Sequence, residues 1–118
     1  MITGVHAIIF TSEPEGVRAL FRDVLGLSSV DAGGGWLIFA LPPAELAAHP
    51  ADDEGRHELY LMCDDVRATV AELEAKGVTF AGGISDEGFG LMTALELPGG
   101  GRLGLYQPKH PSPLSAAG

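Results

Sequence analysis

The sequence has one cysteine and few basic side chains, and both shortages restrict what the protein can be. The single cysteine, Cys63, cannot form a disulfide within the chain, which fits a reducing compartment. Its place in an apolar stretch indicates a buried structural thiol. Only 7 Lys and Arg residues stand against 16 Asp and Glu, giving a net charge of −9 at pH 7. This balance argues against nucleic acid and against anionic membrane surfaces, because both attract basic proteins.

Long apolar runs are also missing from the sequence. No stretch reaches the roughly 18 apolar residues that a membrane-spanning helix requires, and no signal peptide is recognisable at the N-terminus. We therefore expect a cytoplasmic protein with neither nucleic acid nor a membrane as a partner. The chain of 118 residues is 46% hydrophobic, which is enough for one domain with its own core.

The sequence contains an internal repeat. His6 and His57 each open an apolar strand, and Gly26 and Gly77 each end the helical pattern that follows. The same offset of 51 residues separates the two members of each pair. We predict a single domain over residues 1–118, with module one at about 3–50, an acidic linker at 50–56, module two at about 57–108 and a C-terminal tail at 109–118.

Each module is predicted to contain a strand, a helix and three further strands. Pro14 begins the first helix, because its missing N–H is one that the first turn leaves unbonded anyway. The apolar stripe of that helix has the helical spacing and comprises Val17, Leu20, Phe21, Val24 and Leu25. Asp64 or Asp65 caps the second helix, whose stripe comprises Val66, Val70 and Leu73. The predicted strands are 4–11, 27–32, 36–41 and 44–49, then 57–63, 78–81, 91–97 and 102–107.

One such module cannot bury both faces of its sheet alone. We therefore predict an α+β fold in which two βαβββ modules form one curved, mixed eight-stranded sheet, with the helices on its convex side. The concave side of that sheet is then a natural cleft for a small molecule.

Four stretches of the sequence carry a family resemblance, namely Val5–Ala7, Phe21–Leu27, Leu73–Val78 and Leu97–Pro108. They lie at the first strand, at both helix ends and in the last hairpin. They resemble the vicinal oxygen chelate superfamily, which includes glyoxalase I, extradiol dioxygenases and bleomycin-resistance proteins. The resemblance covers about residues 3–108.

The resemblance implies a divalent metal in the cleft, one of Zn²⁺, Ni²⁺, Mn²⁺, Fe²⁺ or Co²⁺. His6 and His57 match the ligand positions of the first and fifth strands. Glu45 matches the fourth-strand carboxylate of glyoxalase-like members. The eighth-strand ligand is usually a glutamate, but Gly104 stands at that position here. This difference counts against an extradiol dioxygenase, whose ligand set uses that glutamate.

Alternation of side chains along the strands leads to the same residues without the family. If the faces that carry His6 and His57 line the cleft, then Glu45 and Tyr106 line it as well. The same faces hold Ile8, Phe10, Ala47, His49, Leu59, Leu61 and Gly104. Two imidazoles and a carboxylate can hold a divalent metal and leave positions open for substrate. Glu45 is a candidate ligand or general base, and the Tyr106 hydroxyl is a candidate to contact a bound ligand.

Each candidate residue has an ordinary structural alternative. A histidine on an apolar strand is often a satisfied buried side chain, Glu45 fits a solvated strand position, and Tyr106 fits a packing role. His110 in the tail is expected to face solvent. Asp86–Gly90 is expected to be a surface turn, with a mobile lid as the alternative. Glu96 also follows Glu45 by 51 residues, but it falls on the seventh predicted strand and is left out of the site.

Two functions remain open at this point. The first is a metal-dependent glyoxalase-like enzyme, a lyase or isomerase acting on a small oxygenated metabolite, with Glu45 and Tyr106 as catalytic residues. The second is a metal-free protein that binds or sequesters a small molecule, as bleomycin-resistance proteins do. The ligand pattern favours the enzyme, and Gly104 favours the binding protein. The resemblance also implies a homodimer, whose modules pair within one chain or are exchanged between chains.

Overall fold

The computed structural model describes residues 6–45, 47, 50, 57–111 and 114. Within these residues the chain forms two helical regions and two sheets. Helix α1 is Pro14–Ala19 and continues as a π-helical turn, Leu20–Val24, while helix α2 is Val66–Ala75. The strands are β1 Ser29–Asp31, β2 Leu37–Phe39, β3 Tyr60–Met62, β4 Ser85–Asp86, β5 Gly90–Glu96 and β6 Arg102–Pro108.

The start of α1 is tied to the second module. Thr11 Oγ1 accepts from the Glu13 amide at 3.1 Å and donates to the Pro98 carbonyl oxygen at 3.1 Å. A Cβ at Gly16 would come within 2.8 Å of Pro98 Cβ, so glycine allows the helix to lie close against this turn. The predicted start of the helix at Pro14 is confirmed.

The end of the first helix differs from the continuous α-helix that the apolar spacing indicated. The Leu25 amide donates to the Leu20 carbonyl at 2.9 Å, which is the wider π-helical bond. Gly26 then ends the segment with a φ of 72°, in the left-handed region that glycine tolerates. The predicted apolar stripe is confirmed, because Val17 is buried and the four other residues of the stripe pack against the same core.

Strands β1 and β2 form an antiparallel hairpin around the predicted glycine turn, with Val30 opposite Ile38. Gly33, Gly34 and Gly35 all have positive φ. The Phe39 ring meets the Phe21 ring edge-on at 5.6 Å between centroids, which attaches the hairpin to the first helical region. Both strands are shorter than predicted.

Helix α2 matches its sequence pattern closely. The Asp65 carboxylate accepts from the Ala68 amide at 3.1 Å, and this bond identifies Asp65 as the N-cap. Val66 and Leu73 are buried against the sheet, and Gly77 follows the helix with a φ of 93°. Among the described residues, neither α2 nor the first helical region has the length and apolar character that a membrane-spanning helix requires.

The larger sheet has the strand order β3-β6-β5-β4. Strand β3 runs parallel to β6, and the other two pairings are antiparallel. Leu95, Leu103 and Leu105 are almost fully buried and form the core with the helical residues Val17, Val66 and Leu73. The core therefore lies between the helices and one face of this sheet.

The α+β class with mixed pairing is confirmed, but the described residues form six strands in two sheets rather than one eight-stranded sheet. Residues 6–11 have no strand partner, and Ile8 and Phe10 are 62% and 91% exposed. Residues 44, 45 and 47 are not in a strand either, and the rest of the predicted strand at 46, 48 and 49 lies outside the described residues. Segment 78–81 contributes only a bridge from Phe80 to Leu95.

The predicted turn-rich segment 82–90 gains the short strand β4. The linker at 50–56 lies outside the described residues except for Pro50.

Candidate functional site

One face of the larger sheet carries the candidate site. Leu103 and Leu105 of β6 point into the core, so Gly104 and Tyr106 lie on the opposite face. Register places further side chains on that same face, namely Tyr60 and Met62 of β3 and Met92 and Ala94 of β5. We call these six residues the open face, because the helices pack against the other side of the sheet.

The composition of the open face corrects one prediction. Alternation from His57 placed Leu61 with Gly104 and Tyr106, but the parallel register pairs Tyr60 with Gly104 and Leu61 with Leu105. Leu61 consequently packs against the core. A shift of one residue exchanges the two faces of a strand, and the histidine pattern did not fix the register of β3.

Gly104 provides room for an aromatic ring. A Cβ at position 104 would come within 2.1 Å of Tyr60 Cδ1, so the ring of Tyr60 lies directly over the glycine. The same ring meets Tyr106 edge-on at 5.7 Å between centroids. At the position where the family resemblance implied a carboxylate ligand, this chain therefore has a tyrosine ring packed over glycine.

Glu45 and Tyr106 are brought together, as the sequence prediction requires. The Tyr106 hydroxyl lies 3.4 Å from Glu45 Oε1, which is a long and weak hydrogen bond. The Glu45 side chain is only 13% exposed. Among the described residues, its Oε2 atom is buried and has no hydrogen-bond partner. A carboxylate oxygen withdrawn from water in this way is energetically costly until a donor or a cation reaches it.

His110 joins this pair, although the sequence suggested that it faces solvent. Its Nε2 atom lies 3.2 Å from the Tyr106 hydroxyl and 3.9 Å from Glu45 Oε1. The side chain is 34% exposed. The composition of the tail gave no indication of this contact, which forms because the chain leaves β6 after Pro108 and bends at His110.

Residues 109–111, which we call the strap, hold His110 in place. The Lys109 amide donates to the Phe89 carbonyl at 2.8 Å, and Lys109 Nζ forms an ion pair with Asp86 at 2.7 Å. The Phe89 ring lies edge-on to Tyr106 at 6.3 Å between centroids and is 52% exposed. The predicted surface turn at 86–90 therefore contributes an aromatic side chain to the site.

The surroundings of Tyr106 keep its hydroxyl protonated. Burial raises the pKa of this phenol, and the charge of Glu45 and the hydrogen bond to it raise that pKa further. Tyr106 is consequently a hydrogen-bond donor at neutral pH. Cys63 lies behind the sheet, where its thiol donates to the Tyr106 carbonyl at 3.6 Å and burial raises its pKa.

The two predicted histidine ligands lie apart from a recognisable metal group. His6 and His57 are both exposed. Among the residues that the structure describes, no three His, Cys, Asp or Glu side chains are close enough to hold a metal ion. One chain by itself therefore does not assemble the set of His6, Glu45 and His57, and that set stays a prediction.

Two cavities border the helices and do not include Glu45, Tyr106 or His110. One of about 490 Å³ lies between α1 with its π-helical turn and the end of α2, where Asp23 and Lys76 are part of its lining. The other, of about 280 Å³, is lined by residues that include Cys63 and Thr69. Both cavities lie mainly on the helical side of the sheet, and of the six open-face residues only Met62 lines the second cavity.

Known structures with the same fold include proteins of different function. An antibiotic-binding protein, TnmS3 from Streptomyces sp. CB03234, is 25% identical with a TM-score of 0.65, over 92% of this chain and 98% of that one. A lactoylglutathione lyase from Agrobacterium tumefaciens is 15% identical with a TM-score of 0.63, over 89% and 92% of the two chains. A superfamily member from Sphaerobacter thermophilus DSM 20745 is 20% identical with a TM-score of 0.61, over 90% and 98%.

No curated protein sequence matches the chain. The sequence profile of the Glyoxalase/Bleomycin resistance protein/Dioxygenase superfamily, in contrast, matches residues 4–105. Divalent metals are common in that superfamily, and its members bind small molecules and are often dimers. The match spans both helical regions, Glu45 and every residue of the open face except Tyr106. The chain therefore belongs to the Glyoxalase/Bleomycin resistance protein/Dioxygenase superfamily.

Proposed function

We propose that this protein binds an aromatic small molecule on the open face of its larger sheet, with Glu45, Tyr106 and His110 as the polar centre. The observation that carries this proposal is the buried Glu45 carboxylate beside the Tyr106 hydroxyl, which has an oxygen without a partner among the described residues. Binding sites of this kind are mostly apolar and have a few polar groups that fix the orientation of the ligand.

The composition of the open face supports a binding role. Tyr60 and Tyr106 provide ring faces and edges, and Met62 and Met92 provide polarisable side chains that adapt to different shapes. Met62 is 38% exposed and Phe89 is 52% exposed, so both present apolar surface to a ligand. The antibiotic-binding protein TnmS3, which is 25% identical over nearly the whole chain, points in the same direction.

A second copy of the chain would complete the predicted sheet. Residues 6–10 are extended in sequence pattern and have exposed apolar side chains, with Phe10 at 91%. An unpaired strand of this kind is stabilised when it pairs with a partner strand. We propose a homodimer in which segment 6–11 of each copy pairs as an additional strand with a sheet of the other copy.

Ligand binding is tested by thermal shift with a panel of aromatic small molecules, followed by titration calorimetry of those that stabilise the protein. A ligand that binds the open face is expected to lose affinity on Tyr60→Ala or Phe89→Ala. Asp23→Ala at the cavity near α1 is the matched control and should leave affinity unchanged. If no member of a broad panel stabilises the protein, the binding function is rejected.

A metal-dependent lyase or isomerase is the second candidate function. The partnerless Glu45 oxygen favours it as well, because a metal ion would satisfy a buried carboxylate. His6, Glu45 and His57 would then hold the ion, with one histidine supplied by a second copy, and Tyr106 would contact the substrate. A bound divalent ion in such an open site would polarise a substrate oxygen.

Metal content by elemental analysis, on protein purified without a tag or chelator, separates the two candidates. The enzyme requires about one equivalent of metal per chain, lost in a His6→Ala/His57→Ala double variant and retained in His110→Ala. Equal metal content in wild type and double variant would contradict the predicted ligand set.

A further inference from the structure

The polar centre of the open face has many acceptors and very few protons. Glu45 contributes two carboxylate oxygens, Tyr106 one hydroxyl and His110 one ring nitrogen, Nε2. Glu45 Oε1 lies 3.4 Å from the hydroxyl and 3.9 Å from His110 Nε2. The only hydrogen that is certain within this group is the phenolic proton of Tyr106.

The orientation of His110 explains why its nitrogen is an acceptor. Its Nδ1 atom lies 2.8 Å from the Pro111 carbonyl oxygen, and a carbonyl oxygen can only accept. In the neutral ring, therefore, the proton is on Nδ1, and Nε2 presents a lone pair toward Tyr106. Tyr106 has one proton to donate and two acceptors within reach, so at least one of them stays unsatisfied.

The charge of Glu45 is not balanced by a neighbouring cation. Among the described residues, the lysine and arginine ion pairs are Arg22–Asp23, Lys76–Glu72 and Lys109–Asp86, and none of them includes Glu45. Within the described residues its one ionic contact is with His110, which carries charge only when protonated. A largely buried carboxylate with only a long hydrogen bond from a neutral phenol is poorly compensated.

Aromatic edges and faces surround the same centre. Tyr60 and Phe89 both lie edge-on to Tyr106, at 5.7 Å and 6.3 Å between centroids. The faces of such rings carry negative charge density and attract cations, which adds to the effect of the carboxylate.

From this arrangement we infer that the ligand carries a positively charged nitrogen next to an aromatic group, and that Glu45, Tyr106 and His110 receive its hydrogens. An ammonium group supplies three donors, which matches a centre with several lone pairs and one proton. This inference rests on the proposed binding function and names the class of ligand for that site. It gives His110 a direct part in recognition, as an acceptor held in place by the strap.

A neutral or anionic ligand fits this centre less well. An anion would meet the buried Glu45 charge at close range, and like charges in such surroundings repel strongly. A neutral hydroxyl would supply a single proton and would leave the carboxylate charge uncompensated. The shared requirement is a cation, which comes either from an organic amine or from a metal ion.

Naphthylmethylamine and naphthylmethanol form a suitable pair of probes, because they differ only in an ammonium or a hydroxyl group at neutral pH. We expect calorimetry to give about tenfold or tighter binding of the amine, since hydrogen bonds to charged groups are stronger than neutral ones. Glu45→Gln is expected to remove this preference. Glu74→Gln changes the net charge equally at an exposed position of helix α2, on the other side of the sheet, and it should retain the preference.

Each other outcome overturns the inference. Equal binding of both probes, unchanged by Glu45→Gln, would reject the cationic class and leave the binding function standing. Binding of neither probe at millimolar concentration would reject aromatic amines as ligands. If the separate thermal-shift panel also finds no ligand, the proposed binding function is rejected as well. Zn²⁺ or Mn²⁺ binding that depends on Glu45, in the absence of amine binding, would show that the cation is a metal ion.

The part of His110 is tested with His110→Gln and His110→Phe. The glutamine amide oxygen reaches the position of Nε2 and should keep most of the amine preference, whereas phenylalanine keeps only the ring and should lose it. Chemical denaturation measures stability alongside, so that loss of the fold is distinguished from loss of the acceptor. Equal effects of the two substitutions would overturn the acceptor role.

Discussion

The ring of Tyr60 lies over Gly104, at a distance that leaves no room for any side chain at position 104. This contact makes the open face aromatic at the position where the family resemblance implied a glutamate. It depends on the parallel pairing of β3 with β6, which sets the two residues opposite each other. Gly104, which lacks the expected ligand side chain, thus gives the Tyr60 ring its place on the open face.

Gly104→Ala is predicted to destabilise the fold. The added methyl group would meet the Tyr60 ring at 2.1 Å, and overpacking of this kind costs about 1–3 kcal/mol. Alanine also reduces the conformational entropy of the unfolded chain, which stabilises the fold by about 0.4–1 kcal/mol. The cost of the clash is larger than this gain. Gly83→Ala is the control, because nothing lies within 4 Å of a Cβ there. Urea denaturation measures both, and a variant at 104 as stable as the control would contradict the close packing.

Tyr106→Phe is predicted to weaken ligand binding more than it weakens the fold. The substitution removes the donor between Glu45 and His110 but keeps the ring contacts with Tyr60 and Phe89. A single hydrogen bond of this type contributes about 1 kcal/mol to stability. Binding of naphthylmethylamine, measured by calorimetry, should fall several-fold. Tyr60→Phe keeps its ring over Gly104 and is the matched control for loss of a hydroxyl.

The ionisation of Tyr106 is predicted to require a higher pH than that of a free tyrosine. Burial raises its pKa first, and the charge and hydrogen bond of Glu45 raise it further, so Glu45→Gln should lower it again. Because the pKa of Tyr106 is higher in the folded chain than in the unfolded chain, the protonated phenol stabilises the fold. This stabilisation is complete below about pH 10 and is lost as the pH rises through the folded pKa.

Ultraviolet absorbance of tyrosinate follows this titration. The chain has only 2 tyrosines, so a Tyr60→Phe background isolates Tyr106. A Tyr106 pKa that does not respond to Glu45→Gln would show that the two groups are not in contact.

Cys63 is predicted to react slowly with iodoacetamide at neutral pH. Burial is the largest cause of its raised pKa, and the hydrogen bond with Thr69 opposes that shift. The reactive thiolate therefore forms at a pH above the ordinary value of about 8.5. The alkylation rate of folded protein should rise at higher pH than that of protein unfolded in urea, which serves as the internal comparison. Matching pH profiles would mean that the thiol is freely accessible.

Phe10→Ser is predicted to favour the monomer without loss of intrinsic stability. The Phe10 side chain is 91% exposed within one chain, so its replacement removes little packing there. In the proposed dimer it would be covered. Sedimentation velocity over a range of concentrations should show weaker self-association for Phe10→Ser than for Trp36→Ser, a control at another exposed aromatic position. Unchanged association would remove segment 6–11 from the interface.

The sequence by itself determined both helical regions and the positions of strands β3, β5 and β6. The apolar stripes of both helices, the Asp65 cap, and Gly26 and Gly77 at the helix ends all lie where their patterns placed them. These features depend on contacts within one turn of helix or on the conformational freedom of glycine, so residues a few positions apart decide them. Tyr106 also contacts Glu45, although residues 44, 45 and 47 do not form the predicted strand.

Only the tertiary structure decided the register of the sheet and the members of the site. Whether Tyr60 or Leu61 faces the same side as Tyr106 depends on how β3 pairs with β6, more than forty positions away, and one step of register exchanges the two. His110 reaches Tyr106 because the ion pair of Lys109 with Asp86 and a backbone bond to Phe89 hold the strap against the hairpin. Such contacts join segments whose separation in sequence carries no local signal, so packing of the whole chain selects them.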